Sequence, residues 1–297
     1  MKSFCRPLDN DRLVEDFVLN ILEISDDRQC NNAINLIVNA ELQLKGLGNK
    51  STLNHDSFRD RKYLTDEKRK ELRKRIFEEL ISNERLENDD DIILGRGGAL
   101  PTGKQVTKNK QAYIIIGLPA SGKSTIANII ADKYCCMILD SDYAKRKLPE
   151  YTKPAGASLV HDESDEIVFG EQNTIDFNLL EFCCACGNNI VIPKIGHKQN
   201  RILDLARTLV DWEYSIHLIL ISLDRQKATK NAYRRFKKTK RYVPLSLIFD
   251  EYSNEPILTY YRIKENELFT SYGAISTDGE PKYIESSDGN PAILFKK

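Results

Sequence analysis

The chain has 297 residues, enough for one full α/β domain and a smaller unit. Its 41% apolar content fills a core, and its 44 Lys and Arg against 44 Asp and Glu argue against a general nucleic-acid binder. No stretch reaches the ~18 apolar residues of a membrane span, and residues 1–30 hold no signal-peptide h-region, so a cytoplasmic protein with neither membrane nor nucleic-acid partner is expected.

Residues 1–60 read as a small helical region. Leu13, Val14, Phe17, Val18, Ile21 and Leu22 form an apolar stripe at helical spacing over 9–27. Ile34, Ile37, Val38 and Leu42 repeat it over 31–45, and Gly46, Gly48 and Asn49 end that helix. Residues 61–110 read as a helix and a linker. Thr65 is placed as N-cap of a helix running to about Ile81, with Leu72, Ile76 and Leu80 on one face. The polar, Asp-rich, Gly-containing stretch 82–110 reads as a linker or long loop.

The pattern changes at Tyr113, and 111–297 reads as one domain. Predicted strands are Tyr113–Ile116, Met137–Leu139, Ile190–Ile192, Ile216–Ile221 and Lys282–Ile284. Predicted helices lie near 123–133, 163–186, 199–211, 225–238 and 244–267. This alternation predicts an α/β fold with a parallel sheet flanked by helices on both faces. Cys135–Cys136 and Cys183, Cys184 and Cys186 lack the CxxC…CxxC spacing of a zinc site and have no His close in sequence, so they read as small buried apolar residues in a reducing cytosol. The four His, at 55, 161, 197 and 217, have no triad spacing.

Gly117-Leu118-Pro119-Ala120-Ser121-Gly122-Lys123-Ser124 fits G-x-x-x-x-G-K-[ST], between an apolar strand and a helix. The two glycines permit the torsions that turn consecutive N–H groups inward. The helix that follows, with Thr125 in its first turn, points its positive end at the phosphates. Lys123 is placed to neutralise β- and γ-phosphate oxygens of a nucleoside triphosphate, and the Ser124 hydroxyl to ligate Mg²⁺. The next strand runs into Asp140-Ser-Asp142, where ligands sit in an open parallel sheet. Along an extended chain both carboxylates point one way. One supports the metal or the backbone while the other accepts a hydroxyl proton, unless both merely cap the next helix. Arg225, Arg234, Arg235, Lys237, Lys238, Lys240 and Arg241 crowd one helix and its exit. They are either a solvated face or a lid whose arginines hold the phosphoryl group in transit.

From about Tyr113 to about Lys264 the sequence resembles the zeta toxin family of bacterial toxin–antitoxin systems. The resemblance is carried by the phosphate-loop run, by Asp140-Ser-Asp142-Tyr-Ala-Lys-Arg-Lys-Leu-Pro149-Glu-Tyr151, by Gly156-Ala-Ser-Leu-Val-His161-Asp-Glu163-Ser, and by Arg234-Arg235-Phe-Lys-Lys-Thr-Lys-Arg241-Tyr-Val-Pro244. It implies a P-loop kinase fold that phosphorylates UDP-N-acetylglucosamine at the 3′-hydroxyl of its amino sugar, using ATP and Mg²⁺. It implies Lys123 as the phosphate-loop lysine, Asp142 as catalytic base, and Arg235 or Arg234, with Arg241, as phosphate contacts. Asp140 and Glu163 are substrate-side candidates, with Glu171 as rival to Glu163. Where familiar members carry an acidic-Gly-Thr turn after the third strand, this chain has Pro193-Lys194-Ile195-Gly196, which leaves the acceptor open. Another nucleotide-like or antibiotic alcohol is the alternative acceptor. A nucleotide-binding switch is the alternative class, disfavoured because no N-K-x-D run is present. The family's antitoxin partner, in trans, or in cis as the helices of residues 1–60 restraining the kinase, is a further implication.

Overall fold

The computed structural model describes residues 5–86, 95–170 and 176–296. Two helices, α1 (Asp11–Asn20) and α2 (Asp27–Leu47), come first, then α3 (Asp66–Ser82). Each starts on a side-chain cap: Asn10 accepts from the Leu13 N–H, Asp26 from Gln29 and Thr65 from Lys68. The Thr65 cap was read from the sequence.

The remainder is a six-stranded sheet with helices on both faces. The strands are β1 (Gln111–Ile116), β2 (Met137–Ile138), β3 (Ile190–Lys194), β4 (Ser215–Ser222), β5 (Ser271–Ser276) and β6 (Lys282–Ser286). Their spatial order is β2-β3-β1-β4-β5-β6. The first five are parallel, and β6 returns antiparallel to β5. Crossovers are carried by α4 (Lys123–Tyr134), α5 (Ser141–Lys145), α6 (Gly156–Leu159), α7 (His161–Phe169), α8 (Leu179–Cys186), α9 (Gln199–Asp211), α10 (Arg225–Thr239) and α11 (Glu255–Ile263). This is the P-loop kinase arrangement, preceded by a helical region. Among the described residues no helix is long and apolar enough to cross a membrane.

The central strand shows why both faces must be covered. Ala112 to Ile116 are all buried. Ile114 and Ile116 pack with Leu72, Ile76 and Leu80 of α3 on one face. Tyr113 and Ile115 pack with Ile126, Ala127 and Ile130 of α4 on the other. The two-residue period of the pleat divides them.

Several elements differ from the sequence reading. The helix predicted over 163–186 is two. Gly170, with φ +63°, ends α7, and a capping box of Asn178 and Glu181 starts α8. The helix predicted over 244–267 is a π-helical stretch, Leu247–Tyr252, then α11, which restarts with Pro256 in its first turn. Strand β5 escaped the sequence reading because Ser271-Tyr-Gly-Ala-Ile-Ser has little β-branched character. Its Gly273 is needed there, since a Cβ would come within 2.3 Å of Asn290 Oδ1. The described parts of 82–110 are strapped to the sheet rather than loose. Ala99 is buried and its carbonyl accepts from Ile138 N–H at 3.1 Å, while the Thr107 carbonyl accepts from Asn189 N–H at 2.7 Å.

The α1–α2 pair docks on α10. Val14, Phe17, Val18, Ala33, Ile34 and Ile37 pack against Ala228, Ala232, Tyr233 and Phe236, and against Leu118 of the phosphate loop. Leu13 and Leu42, read as part of the apolar stripes, are exposed. Polar contacts frame this interface. Arg6 Nε donates to Asp250 at 2.9 Å, Lys230 pairs with Glu23, and Tyr242 donates to Glu41.

Candidate active site

The phosphate loop leaves β1 at Ile116 and enters α4 at Lys123. A Cβ on Gly117 would lie 2.8 Å from the Ile221 carbonyl oxygen and 3.0 Å from Ser121 Oγ, so only glycine fits. Gly122, with φ +87°, caps α4 in the left-handed region. Neighbouring elements brace the loop. Gly117 N–H donates to the Ile195 carbonyl at 3.1 Å, and Thr277 Oγ1 to the Ser121 carbonyl at 2.7 Å. Gly122, Ser124 and Thr125 are exposed at the helix N-terminus, which offers its dipole end and free N–H groups to an anion.

Lys123 folds back over its own loop. Its Nζ donates to the Gly117 carbonyl at 2.8 Å and the Leu118 carbonyl at 2.7 Å. Burial lowers its pKa to about 8, with Arg235 adding to the shift while Asp140 and Asp142 oppose it. An incoming phosphate replaces two neutral acceptors by charged ones and restores the cation.

Asp140 and Asp142 do not alternate along an extended chain, because the helix starts between them. Asp140 is the N-cap of α5, and its Oδ1 accepts from Asp142 N–H at 2.9 Å. Asp142 lies in the first turn and does not cap. Its carboxylate meets Lys145 Nζ at 3.0 Å and hydrogen-bonds Arg241 Nη2, from 99 residues away. The two carboxyls are driven apart electrically. Burial, then the charge of Asp142, pushes Asp140 up. Burial also pushes Asp142 up, but Arg241 and Lys145 outweigh it and hold Asp142 well below the usual carboxylate range. A pair split this way divides its labour: one stays ionised, the other protonates first.

The arginines of α10 separate by exposure. Arg234 is exposed and donates to Asn231 Oδ1 at 3.1 Å. Arg235 is partly buried and close enough to Lys123 to depress its pKa. Arg241 follows the left-handed Lys240, φ +62°, which turns the chain back to Asp142.

Glu163 is not in this group. It is fully buried, and both carboxylate oxygens are taken. Arg69 Nε and Arg73 Nε donate to Oε1 at 2.7 and 2.8 Å; Arg69 Nη2 and Thr52 Oγ1 each donate to Oε2 at 2.5 Å. Glu150 takes the other side of the Arg69 guanidinium at 2.8 and 2.9 Å. The carboxylate therefore ties α7 to α3. Glu171 lies outside the described residues. In the Pro193–Gly196 turn, Lys194 Nζ sits 3.3 Å from the centre of the Phe169 ring. A Cβ on Gly196, φ +79°, would meet Ile116 at 2.7 Å, so this turn buttresses the phosphate loop.

The sequence reading missed Lys145, although its i,i+3 spacing from Asp142 was a signal. It also missed Thr277 and Asn231, whose Nδ2 donates to the Ala120 carbonyl at 3.4 Å; nothing local marks either. Cys136, Cys183 and Cys184 are buried, and desolvation pushes their thiols up, Cys184 to about 11, despite its bond to Tyr214.

The zeta toxin family model matches residues 99–266. No curated protein matches the sequence. Among solved structures, a chain of the PezAT chromosomal toxin–antitoxin system of Streptococcus pneumoniae is 17% identical, with 65% of this chain and 80% of that chain covered and a TM-score of 0.49. The AvrRxo1-ORF1:AvrRxo1-ORF2 complex with ATP is 17% identical, covering 74% and 65%, TM-score 0.44. A gluconokinase from Sinorhizobium meliloti 1021 is 13% identical, covering 64% and 89%, TM-score 0.35.

Proposed function

The chain belongs to the zeta toxin family, and on that premise we propose that it is an ATP-dependent kinase whose acceptor is the 3′-hydroxyl of the amino sugar of UDP-N-acetylglucosamine. The observation that carries the phosphotransferase reading is Asp142, held ionised by Arg241 and Lys145 within the electrostatic reach of Lys123.

ATP lays its phosphates on the exposed N-terminus of α4. Lys123 leaves the Gly117 and Leu118 carbonyls for the β- and γ-phosphate oxygens. The exposed Ser124 hydroxyl, beside Lys123 on the first turn, is a hard oxygen donor that suits Mg²⁺. When bound, Mg²⁺ supplies charge neutralisation on the phosphate oxygens. The acceptor hydroxyl donates a hydrogen bond to Asp142. A carboxylate with so low a pKa is a weak base, so it chiefly orients the hydroxyl and takes the proton late, as a loose phosphoryl transition state requires. Arg235 and Arg241 meet the charge that develops on the phosphoryl oxygens. An arginine in this role contributes ~10³-fold or more. A nucleotide switch without an acceptor gives no task to the Asp142–Arg241 pair.

The test is to incubate the full chain with ATP, Mg²⁺ and a panel of nucleotide sugars, and to weigh the products. The expected product is UDP-N-acetylglucosamine carrying one added phosphoryl group. ATP binding with no phosphorylated acceptor across the panel would count against the reading.

A further inference from the structure

A cleft of about 730 Å³ lies between α2, the stretch Tyr151–Ser158 and the end of α10 through Tyr242. That volume falls within the usual range of small-molecule sites, and it exceeds the needs of a bare monosaccharide. The cleft adjoins the catalytic pair, because Arg241 lines it and Arg241 also bonds Asp142.

Its charge is one-sided. Among the described residues, Lys153, Lys238, Lys240 and Arg241 line it, and no Asp or Glu does. The whole chain carries equal numbers of acidic and basic residues, so this segregation is local. A concave wall of one sign raises the local concentration of opposite charge. Arg241 is paired with Asp142, and the other three cations suit an acceptor with two or more negative charges.

The opposite wall is α2. Its place is fixed, since Ala33, Ile34 and Ile37 are buried against α10 and Glu41 accepts from Tyr242 on the cleft rim. Asn39 and Gln43, one turn apart, therefore share the face that lines the cleft, and both are exposed. A carboxamide both donates and accepts, which a nucleobase edge demands.

We propose that α2 forms one wall of the acceptor site, where Asn39 and Gln43 determine specificity for an acceptor bearing a nucleoside diphosphate, whose phosphates lie against Lys153, Lys238 and Lys240. The proposal rests on the kinase reading for the direction in which the acceptor presents its alcohol. It makes the N-terminal helices part of the binding machinery.

The test uses the full chain and two probes, UDP and ATP, titrated separately by calorimetry. Asn39→Ala with Gln43→Ala, and separately Lys153→Glu with Lys238→Glu, replace exposed side chains and leave the core intact. Each pair is expected to weaken UDP about tenfold or more, which is about 1.4 kcal/mol, while ATP affinity stays within about twofold. Lys123→Ala is expected to lose ATP and keep UDP. The proposal is overturned if the wild-type chain binds no UDP, or if both double variants bind it normally. It is equally overturned if Lys123→Ala abolishes UDP binding, which would put UDP on the phosphate loop. A wild-type chain that binds UDP in the cleft yet transfers no phosphate upholds the cleft and fails the kinase reading alone.

Discussion

One cation of the site is in a state that ligand binding must change. Lys123 is satisfied by carbonyls of its own loop, and its pKa is lowered to about 8 by burial. On the proposed kinase reading, above that pH the free protein loses the charge that would receive the phosphates. The expected outcome is that kcat/KM for ATP is flat below about pH 8 and then falls about tenfold per pH unit, since kcat/KM reports the free enzyme. An alkaline limb that begins two units higher would show that Lys123 is not the titrating group. Asp142, held low, gives no acid limb until well below neutral pH. Arg235 and Arg234 provide an internal comparison on one helix. Arg235→Ala is expected to lower kcat by about 10³-fold with a smaller effect on KM for ATP, as a transition-state contact does. Arg234→Ala, at an exposed position, is expected to stay near wild type in both. Near-wild-type kinetics at both positions would assign the helix to solvent.

At the scale of elements, α3 is the part whose role the sequence hid most. Its apolar stripe at Leu72, Ile76 and Leu80 was legible, and so was its Thr65 cap. The partner of that stripe was not, because only the fold shows that it covers β1. Charge hid the rest. Nothing in the sequence singled out Arg69 and Arg73, and Glu163 read as a substrate-side candidate, yet all three meet with Glu150 in a buried cluster of two cations and two anions. Long-range pairing of this kind leaves no local periodicity. The phosphate loop was legible because its geometry is local, and the placement of Asp142 near Lys123 because strand ends locate ligands in parallel sheets. Arg69→Ala leaves two buried carboxylates short of a partner and is expected to destabilise by roughly 3–5 kcal/mol. Urea midpoints measure this. The Glu163 carboxyl is raised by burial, but Arg69, Arg73 and Thr52 outweigh it and the net shift is downward. Its contribution is therefore present above the unfolded value of about 4.3 and is lost as pH falls through the lower folded value. The wild type should lose more stability than Glu163→Gln over that acid interval. A near-neutral Arg69→Ala would mean that water replaces the guanidinium.

For the molecule as a whole, the question is what the α1–α2 pair does to the kinase. It covers the apolar face of α10 and touches Leu118, yet leaves Gly122, Ser124 and Thr125 exposed. A restraint in cis predicts that loosening the pair raises turnover; a wall of the acceptor cleft predicts the reverse. Phe17 is fully buried at this interface, with its ring edge-on to Phe249 at 6.1 Å. Phe17→Ala in the full chain is expected to lower amide-exchange protection in α1 and α2 while β1 stays protected, to raise KM for the acceptor and not to raise kcat. A rise in kcat would favour restraint. Beneath either role stands the central claim, that this protein moves a phosphoryl group onto an alcohol oriented by Asp142. The most direct measurement is single-turnover transfer of the γ-phosphate of prebound ATP to UDP-N-acetylglucosamine by the wild type and by Asp142→Asn. Transfer is expected to be slowed by roughly 10²-fold or more in the variant with ATP affinity retained. Transfer at the wild-type rate by Asp142→Asn would contradict it.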